Sequence, residues 1–408
     1  MDLELYLSLE IWILKFFIMR IGIFTNNYLP NPYGVTNSVE SFRKKLESWN
    51  HQVFIFAPHY KNYQDENPNV FRYPALDISY KIKFPLAIPY SREMNEVLSK
   101  LEIDIIHSQH PNLLGTAAMK WAKKKNIPLV FTWHTLYDQY VHFVPLIPAK
   151  WMAKYIIKKA VNYANKCDFV ITPTESVKKI IQNWGVANKN IEAVSSGVDE
   201  ENFANPERIS IRKKYNIGDD ETLLFSVCRL TKEKNTEFLF AAAIEALKTN
   251  GKTKFLVVSE GDLRDKLEAL MKKENLSGRI IFAGIIARPE MKNYFAAGDI
   301  FIYASKSETQ GMIITEALYA GLPVVAVNAT GIRDLVENNI SGFLVAENKK
   351  EFSSAVNKLI QDKSLRERLG QTGARIAREK YTDEICARKM LKIYQKLLEK
   401  NDSSKKIF

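Results

Sequence analysis

The chain has 408 residues, of which 46% are hydrophobic and 25% charged, a balance that excludes a disordered or collagen-like chain and allows two or three domains. No apolar run approaches the ~18–20 residues of a spanning helix, and the three cysteines, Cys167, Cys228 and Cys386, odd in number and far apart, form no zinc pattern and no disulfide framework. The net charge of +12 (58 basic against 46 acidic residues) implies an anionic partner: nucleic acid, anionic lipid or nucleotide phosphate.

Residues 1–18, MDLELYLSLEIWILKFFI, begin acidic and carry Lys15 inside their apolar run, unlike a secretory signal. Met19 stands directly before the first strand pattern. The leader therefore reads as an extension that a start at Met19 would remove, with an apolar anchor as the other reading. Short apolar runs then alternate with amphipathic stretches. The first set of strands is expected at 20–25, 52–57, 103–108, 128–133, 168–173 and 190–195, with helices at 36–49, 91–101, 113–125, 149–165 and 175–184. The second set is expected at 222–227, 254–259, 279–284, 300–305, 323–327 and 342–346. Runs apolar on both faces suit parallel strands covered by helices on both sides. Two such sets predict an α/β protein of two facing Rossmann-like domains, 19–203 and 204–382, with a ligand cleft at the carboxyl ends of the strands. Segment 383–400 is expected to be a further helix that crosses back to the first domain.

The most informative segment is SKSETQGMIITEALYAGLPVVAV (305–327). Gly311 precedes a short amphipathic helix that Gly321 and Pro323 end. A loop glycine ahead of a helix offers backbone N–H groups and the positive end of the macrodipole to phosphate. Glu308 and Glu316 are acceptors suited to sugar and ribose hydroxyls, although two glutamates alone would also fit a solvated helix.

The whole string resembles the donor-binding signature of the retaining glycosyltransferases of family 4, enzymes of the GT-B fold. CRLTKEKN (228–235) is similar to the family's G-R-L-x-x-E-K-N segment, in which an arginine and a lysine hold the donor diphosphate; these are Arg229 and Lys234, with Cys228 in place of the usual glycine. SGVDEENF (196–203) resembles the hinge between the domains. VVSEGDLRDKLE (257–268) resembles a further glycine-rich loop, with Ser259 and Asp262 replacing its glycine and proline. The resemblance implies that Gln310, Gly311, Met312, Ile313 and Glu316 line the donor together with Glu308, Arg229 and Lys234.

In the first half, TNNYLPNPYGVTNSV (25–39) resembles the family's first loop, whose Gly34 gives backbone donors to the diphosphate or departing sugar; the family's acidic residue is Asn26 here. His107 and His110 stand at the end of one expected strand and His134 at the end of the next. The resemblance gives His134 the position that faces the donor sugar. His107, His110 and Tyr137 are expected either to shape the cleft or to meet the acceptor. No catalytic triad, zinc pair or P-loop is evident. The leaving diphosphate is then stabilised by Arg229, Lys234 and the helix dipole, without a cofactor and without a strict need for metal. Retention of configuration is what the resemblance implies.

HTLYDQYVHFVPLIP (134–148) and the E-T-Q-G variant at 308–311 resemble the subgroup that glucosylates diacylglycerol, which implies UDP-glucose as donor and a lipid acceptor. Residues 142–166 hold five lysines and no acid. Lys150, Lys154 and Lys158 share one helical face with Trp151 beside them, as suits an anionic membrane surface. YKIKFPLAIPYSR (80–92) adds cations and aromatics. The expected location is therefore cytoplasmic, at the inner face of the cell membrane. Competing readings are a family-4 transferase acting on a soluble sugar, a lipopolysaccharide core or phosphatidylinositol, and a sugar-nucleotide 2-epimerase. A nucleic-acid-binding protein is disfavoured, because no recognition helix, zinc finger or stacking-sheet motif is present.

Overall fold

A strand buried on both faces needs side chains that are apolar at nearly every position, and β1 (Arg20–Phe24) and β2 (Gln52–Pro58) meet that demand, with Ile21, Val53, Ile55 and Phe56 fully buried. The computed structural model describes residues 18–31, 33–77, 85–139 and 149–405, of which 139, 149–150 and 402–405 by backbone alone. Residues 1–17 of the leader, 80–84 of the YKIKFPLAIPYSR segment and 140–148 of the HTLYDQYVHFVPLIP segment lie outside the described residues.

The chain forms two units. The first holds the described residues up to Ser196 together with those from Asp383 onward, and the second holds Gly197–Thr382. In the first unit β3 (Val70–Tyr73), β6 (Ile105–Ser108), β7 (Leu129–Thr132), β8 (Phe169–Thr172) and β9 (Ile191–Ala193) join β1 and β2 in a parallel sheet of order β3-β2-β1-β6-β7-β8-β9. A small antiparallel pair, β4 (Ala75–Leu76) and β5 (Leu86–Ala87), stands beside it. The register sets Ile21 beside Val53 and Ile105, and His107 beside Val130. In the second unit β10 (Thr222–Val227), β11 (Thr253–Val258), β12 (Ile280–Gly284), β13 (Ile300–Tyr303), β14 (Val324–Val327) and β15 (Gly342–Val345) form a parallel sheet of order β12-β11-β10-β13-β14-β15. In both sheets the order of the strands reverses once, at β1/β6 and at β10/β13. In doubly wound sheets such a reversal splays the following loops apart and opens a crevice there.

All twelve expected strands are present. Sequence reading missed β3, because Arg72 interrupts VFRY and the strand is an edge only partly buried. Arg72 bonds Asp65 with two nitrogens, donates to the carbonyls of Pro58 and Leu29, and lies over the rings of Tyr28, Tyr60 and Tyr63. It thereby pins the loop after β1.

The last helix, Asp383–Lys405, belongs to the first unit. Met390, Leu391 and Tyr394 share a buried cluster with Met19, Ile21, Val39 and Phe42, and Lys45 Nζ lies 3.3 Å from Asp383 at the helix start. Tyr394 is 1% exposed, and its hydroxyl lies 2.7 Å from His107 Nδ1. Tyr394→Phe leaves that buried nitrogen without its partner, so urea unfolding should show a loss of about 1–3 kcal/mol; an unchanged midpoint would show that the bond adds nothing.

Candidate active site

In the second unit the chain leaves β10 into Cys228 and Arg229, makes a short turn over Lys232–Lys234, and enters helix Thr236–Thr249 through Asn235, held in the left-handed conformation (φ 54). On the neighbouring strand, β13 leads into the loop that carries Glu308. The two loops meet. Lys234 Nζ lies 2.6 Å from Glu308 Oε1, and the Tyr303 hydroxyl donates to the same oxygen at 2.7 Å. Arg229 pairs at 3.2 Å with Glu233, which also lies 3.5 Å from Lys234. Lys234 and Glu308 are largely buried, whereas Arg229 is half exposed. Burial pushes the Glu308 carboxyl up, but the charge of Lys234 and the hydrogen bonds from Lys234 and Tyr303 outweigh it, so the carboxyl stays ionised below its ordinary range.

Gly311 adopts φ 82 ahead of helix Met312–Tyr319, a conformation that side chains with a Cβ rarely take. Gly331 adopts a positive φ of 77 as well, and a Cβ there would also sit 2.7 Å from the Glu308 carbonyl oxygen. Gln310 is buried, and Met312 and Ile313 are half-buried at the helix start.

Glu316 is placed differently from Glu308. It is 2% exposed; Oε1 pairs with Arg288, and Oε2 has no partner among the described residues. A buried carboxylate oxygen with spare acceptor capacity is suited to a ligand hydroxyl. Arg288 follows β12, and the charge of Glu316 raises its pKa further. Sequence reading missed Glu233, Tyr303 and Arg288. Only Glu233 carried a signal, as the acid within the KEK turn.

In the first unit Gly34 opens helix Gly34–Ser48, with nothing within 4 Å of a Cβ built there, so packing does not require a glycine. Asn26, which replaces the family's acid, joins the loops after β1 and β6, where the strand order reverses. Its amide N–H donates to His110 Nδ1, and its side chain donates to Asn112 Oδ1 at 2.9 Å. His107 is 2% exposed, held by Tyr394 on one ring nitrogen and by Thr132 Oγ1 at 2.7 Å on the other. With both nitrogens engaged it ties strand ends together and has none to offer an acceptor. His110 and His134 are half-buried, and His134 Nε2 lies 2.7 Å from Gln109 Oε1. Tyr137 is half-buried with its ring edge-on to Trp133.

Helix Ala149–Ala164 buries Ala160, Val161, Tyr163 and Ala164. Its first turns leave Trp151 76% and Tyr155 58% exposed, together with exposed Lys154, Lys158 and Lys159. Lys159 lies over the Tyr155 ring. Lys150 is in the helix, but its side chain is outside the described residues. No helix among the described residues is long and apolar enough to cross a membrane.

Burial lowers the pKa of His107 and His134 to about 3 and that of His110 to about 4, from an ordinary 6.5. All three rings are therefore neutral in the fold and protonate more readily when it opens. Their contribution to stability is full above about pH 6.5 and is lost as pH falls toward 3. Stability measured by denaturant between pH 7 and 4 should fall with acid, and His107→Gln should flatten that slope; an equal slope in the variant would rule His107 out as a source.

The model of "Glycosyltransferase Family 4" matches residues 32–202, and that of "Glycosyl transferases group 1" matches residues 207–376. An alpha-monoglucosyldiacylglycerol synthase of Streptococcus pneumoniae is 30% identical over 335 residues, covering 80% of this chain and 75% of that protein. A protein of the same name from Acholeplasma laidlawii is 29% identical and covers 94% and 98%. Among solved structures, Anabaena HepE in complex with UDP-glucose aligns over 94% of this chain and all of its own, with a TM-score of 0.70 at 19% identity. The likeness in structure establishes the GT-B fold.

Proposed function

Because the chain belongs to glycosyltransferase family 4, we propose that this glycosyltransferase moves a glucosyl group from UDP-glucose to diacylglycerol, with retention of configuration, at the inner face of the cell membrane. The observation that carries the reading is the joined loops after β10 and β13, where Arg229, Lys234, Glu308 and the open oxygen of Glu316 share one unit. Negative charge grows on the diphosphate as the sugar leaves. Cations at the strand ends meet that charge, and Arg229 and Lys234 supply them here, without a strict need for metal. Glu316 Oε2 accepts from a ribose hydroxyl. His134 takes the role the resemblance gives it, a contact to the sugar being moved. The lipid acceptor is favoured by the names of the two relatives at 29–30% identity and by the exposed Trp151, Tyr155 and lysines of helix Ala149–Ala164.

A panel of radiolabelled nucleotide sugars, incubated with vesicles containing diacylglycerol and then extracted for lipid, tests the whole reading. Label from UDP-glucose should enter the lipid fraction, with and without EDTA. Label only in a water-soluble product would overturn the acceptor, and loss in EDTA restored by magnesium would overturn the metal-free account. In this assay Arg229→Ala should lower kcat by about tenfold or more, with a smaller effect on the donor KM, because its charge matters most in the transition state. Arg229 is the cleaner variant, since Lys234→Ala also strands the largely buried Glu308.

The membrane contact has its own test. Each lysine near anionic headgroups contributes about 1 kcal/mol, screened by salt, and Trp151 adds an interfacial anchor. Changing Lys150, Lys154 and Lys158 together to glutamine should abolish sedimentation with anionic vesicles and spare activity on detergent-dispersed acceptor. A triple variant that still sediments at low salt would remove this helix from the contact.

A further inference from the structure

Gln109 lies one residue beyond β6 and is 5% exposed. Its side-chain carbonyl Oε1 lies 2.7 Å from His134 Nε2. A carbonyl oxygen can only accept, so this bond requires the proton on Nε2. The backbone beside this bond is tied to the sheet. The backbone N–H of Gln109 donates to the Phe24 carbonyl at 2.8 Å, which ties it to β1. Directly beneath, His107 is fixed between Thr132 at the end of β7 and Tyr394 of the last helix. A small cavity of about 10 Å³ touches His107, Gln109, Thr132 and His134, and Ser38 and Ser196, bonded to each other at 2.6 Å, line its other side.

We propose that Gln109 is a positioning residue whose side-chain carbonyl fixes His134 as the neutral Nε2–H tautomer, with Nδ1 as the ring's acceptor atom. The inference rests on the reading that His134 meets the donor sugar. It adds that the ring acts in its neutral form and transfers no proton. Burial supports this, since it strongly disfavours the imidazolium, and the neighbouring His110 and His107 disfavour it further. A glutamine suits the task because it accepts the N–H without bringing a negative charge that would raise the pKa of the ring.

The direct test is nitrogen NMR of the full chain labelled with ¹⁵N-histidine, with the His134 pattern identified by its loss in His134→Gln. The wild type should show the Nε2–H tautomer, unprotonated down to about pH 5. Gln109→Leu should lose the tautomer preference, and Gln109→Glu should bring ring protonation into the range of about pH 5–8. An Nδ1–H tautomer in the wild type would mean that Gln109 presents its amide NH₂ instead, and would overturn the proposal. So would a tautomer unmoved in Gln109→Leu. In turnover assays Gln109→Leu should lower kcat about tenfold with a donor KM within about threefold of wild type. Gln109→Glu should recover activity at high pH and lose it as pH falls through the raised His134 pKa, a profile that a merely structural role would not produce. Full activity in His134→Gln would defeat the role proposed for His134 in catalysis, while the NMR result would still decide the tautomer.

Discussion

A parallel sheet sends every strand's carboxyl end to one edge, and a single reversal of strand order leaves one gap in the layer of loops above that edge. Both units are built on this constraint. At β10/β13 the loop after one strand supplies Arg229, Glu233 and Lys234, and the loop after the other supplies Glu308, so residues 74 apart in sequence meet at 2.6 Å. At β1/β6 the same arrangement brings Asn26 to His110 and Asn112. Side chains at these points need little local design beyond the right residue at the right strand end. The demanding positions are backbone ones, such as Gly331, where a side chain would displace the Glu308 carbonyl.

The pairing of Lys234 with Glu308 shows how the site keeps charges in a largely desolvated place. Removing one partner of a buried pair costs about 3–5 kcal/mol, because the other is left uncompensated. Tyr303 adds a second donor to the same carboxylate oxygen and fixes its direction. Arg229 is treated differently: it is half exposed and loosely paired with Glu233, so its charge is available to a diphosphate at small cost. Glu316 gains its charge balance from Arg288 through one oxygen and keeps the other for a ligand. Each acid is thus held by a cation at one point, and the unit stays near neutral before an anionic donor arrives.

The alternation of strands and helices, and the motif residues themselves, were legible because parallel strands, strand-end loops and helix stops leave local signals. Arg229, Lys234, Glu308 and Glu316 could be picked from the string alone. Their partners could not: Tyr303 looks like an ordinary strand residue, Arg288 like a loop cation, and Tyr394 like one apolar position of a terminal helix. Their roles arise from contacts across 5, 28 and 287 residues, of which only the first is local. In the sequence His107 is open between shaping the cleft and meeting the acceptor; its burial and its two ring bonds, to Tyr394 and Thr132, favour the shaping role. Ser259, which replaces the family's glycine, keeps the glycine-like φ of 141 beside a register shift at Val257/Val258. A φ in this range is one that residues with a Cβ rarely take, so Ser259 carries backbone strain there.

The last helix links chain order to the site. Asp383–Lys405 is the final described element, yet it completes the core of the first unit, and Tyr394 reaches the ring of His107, near Gln109 in the loop after β6 and His134 in the loop after β7. A hydrogen-bonded chain from Tyr394 through His107 to Thr132 joins the helix to the end of β7, two residues before His134. Such a network constrains the unit only while every member is satisfied, since a single lost partner leaves a buried polar atom unpaired. Fraying of the terminal helix would therefore reach the histidine loop directly. The unit's packing and the geometry of His134 depend on the same buried bonds.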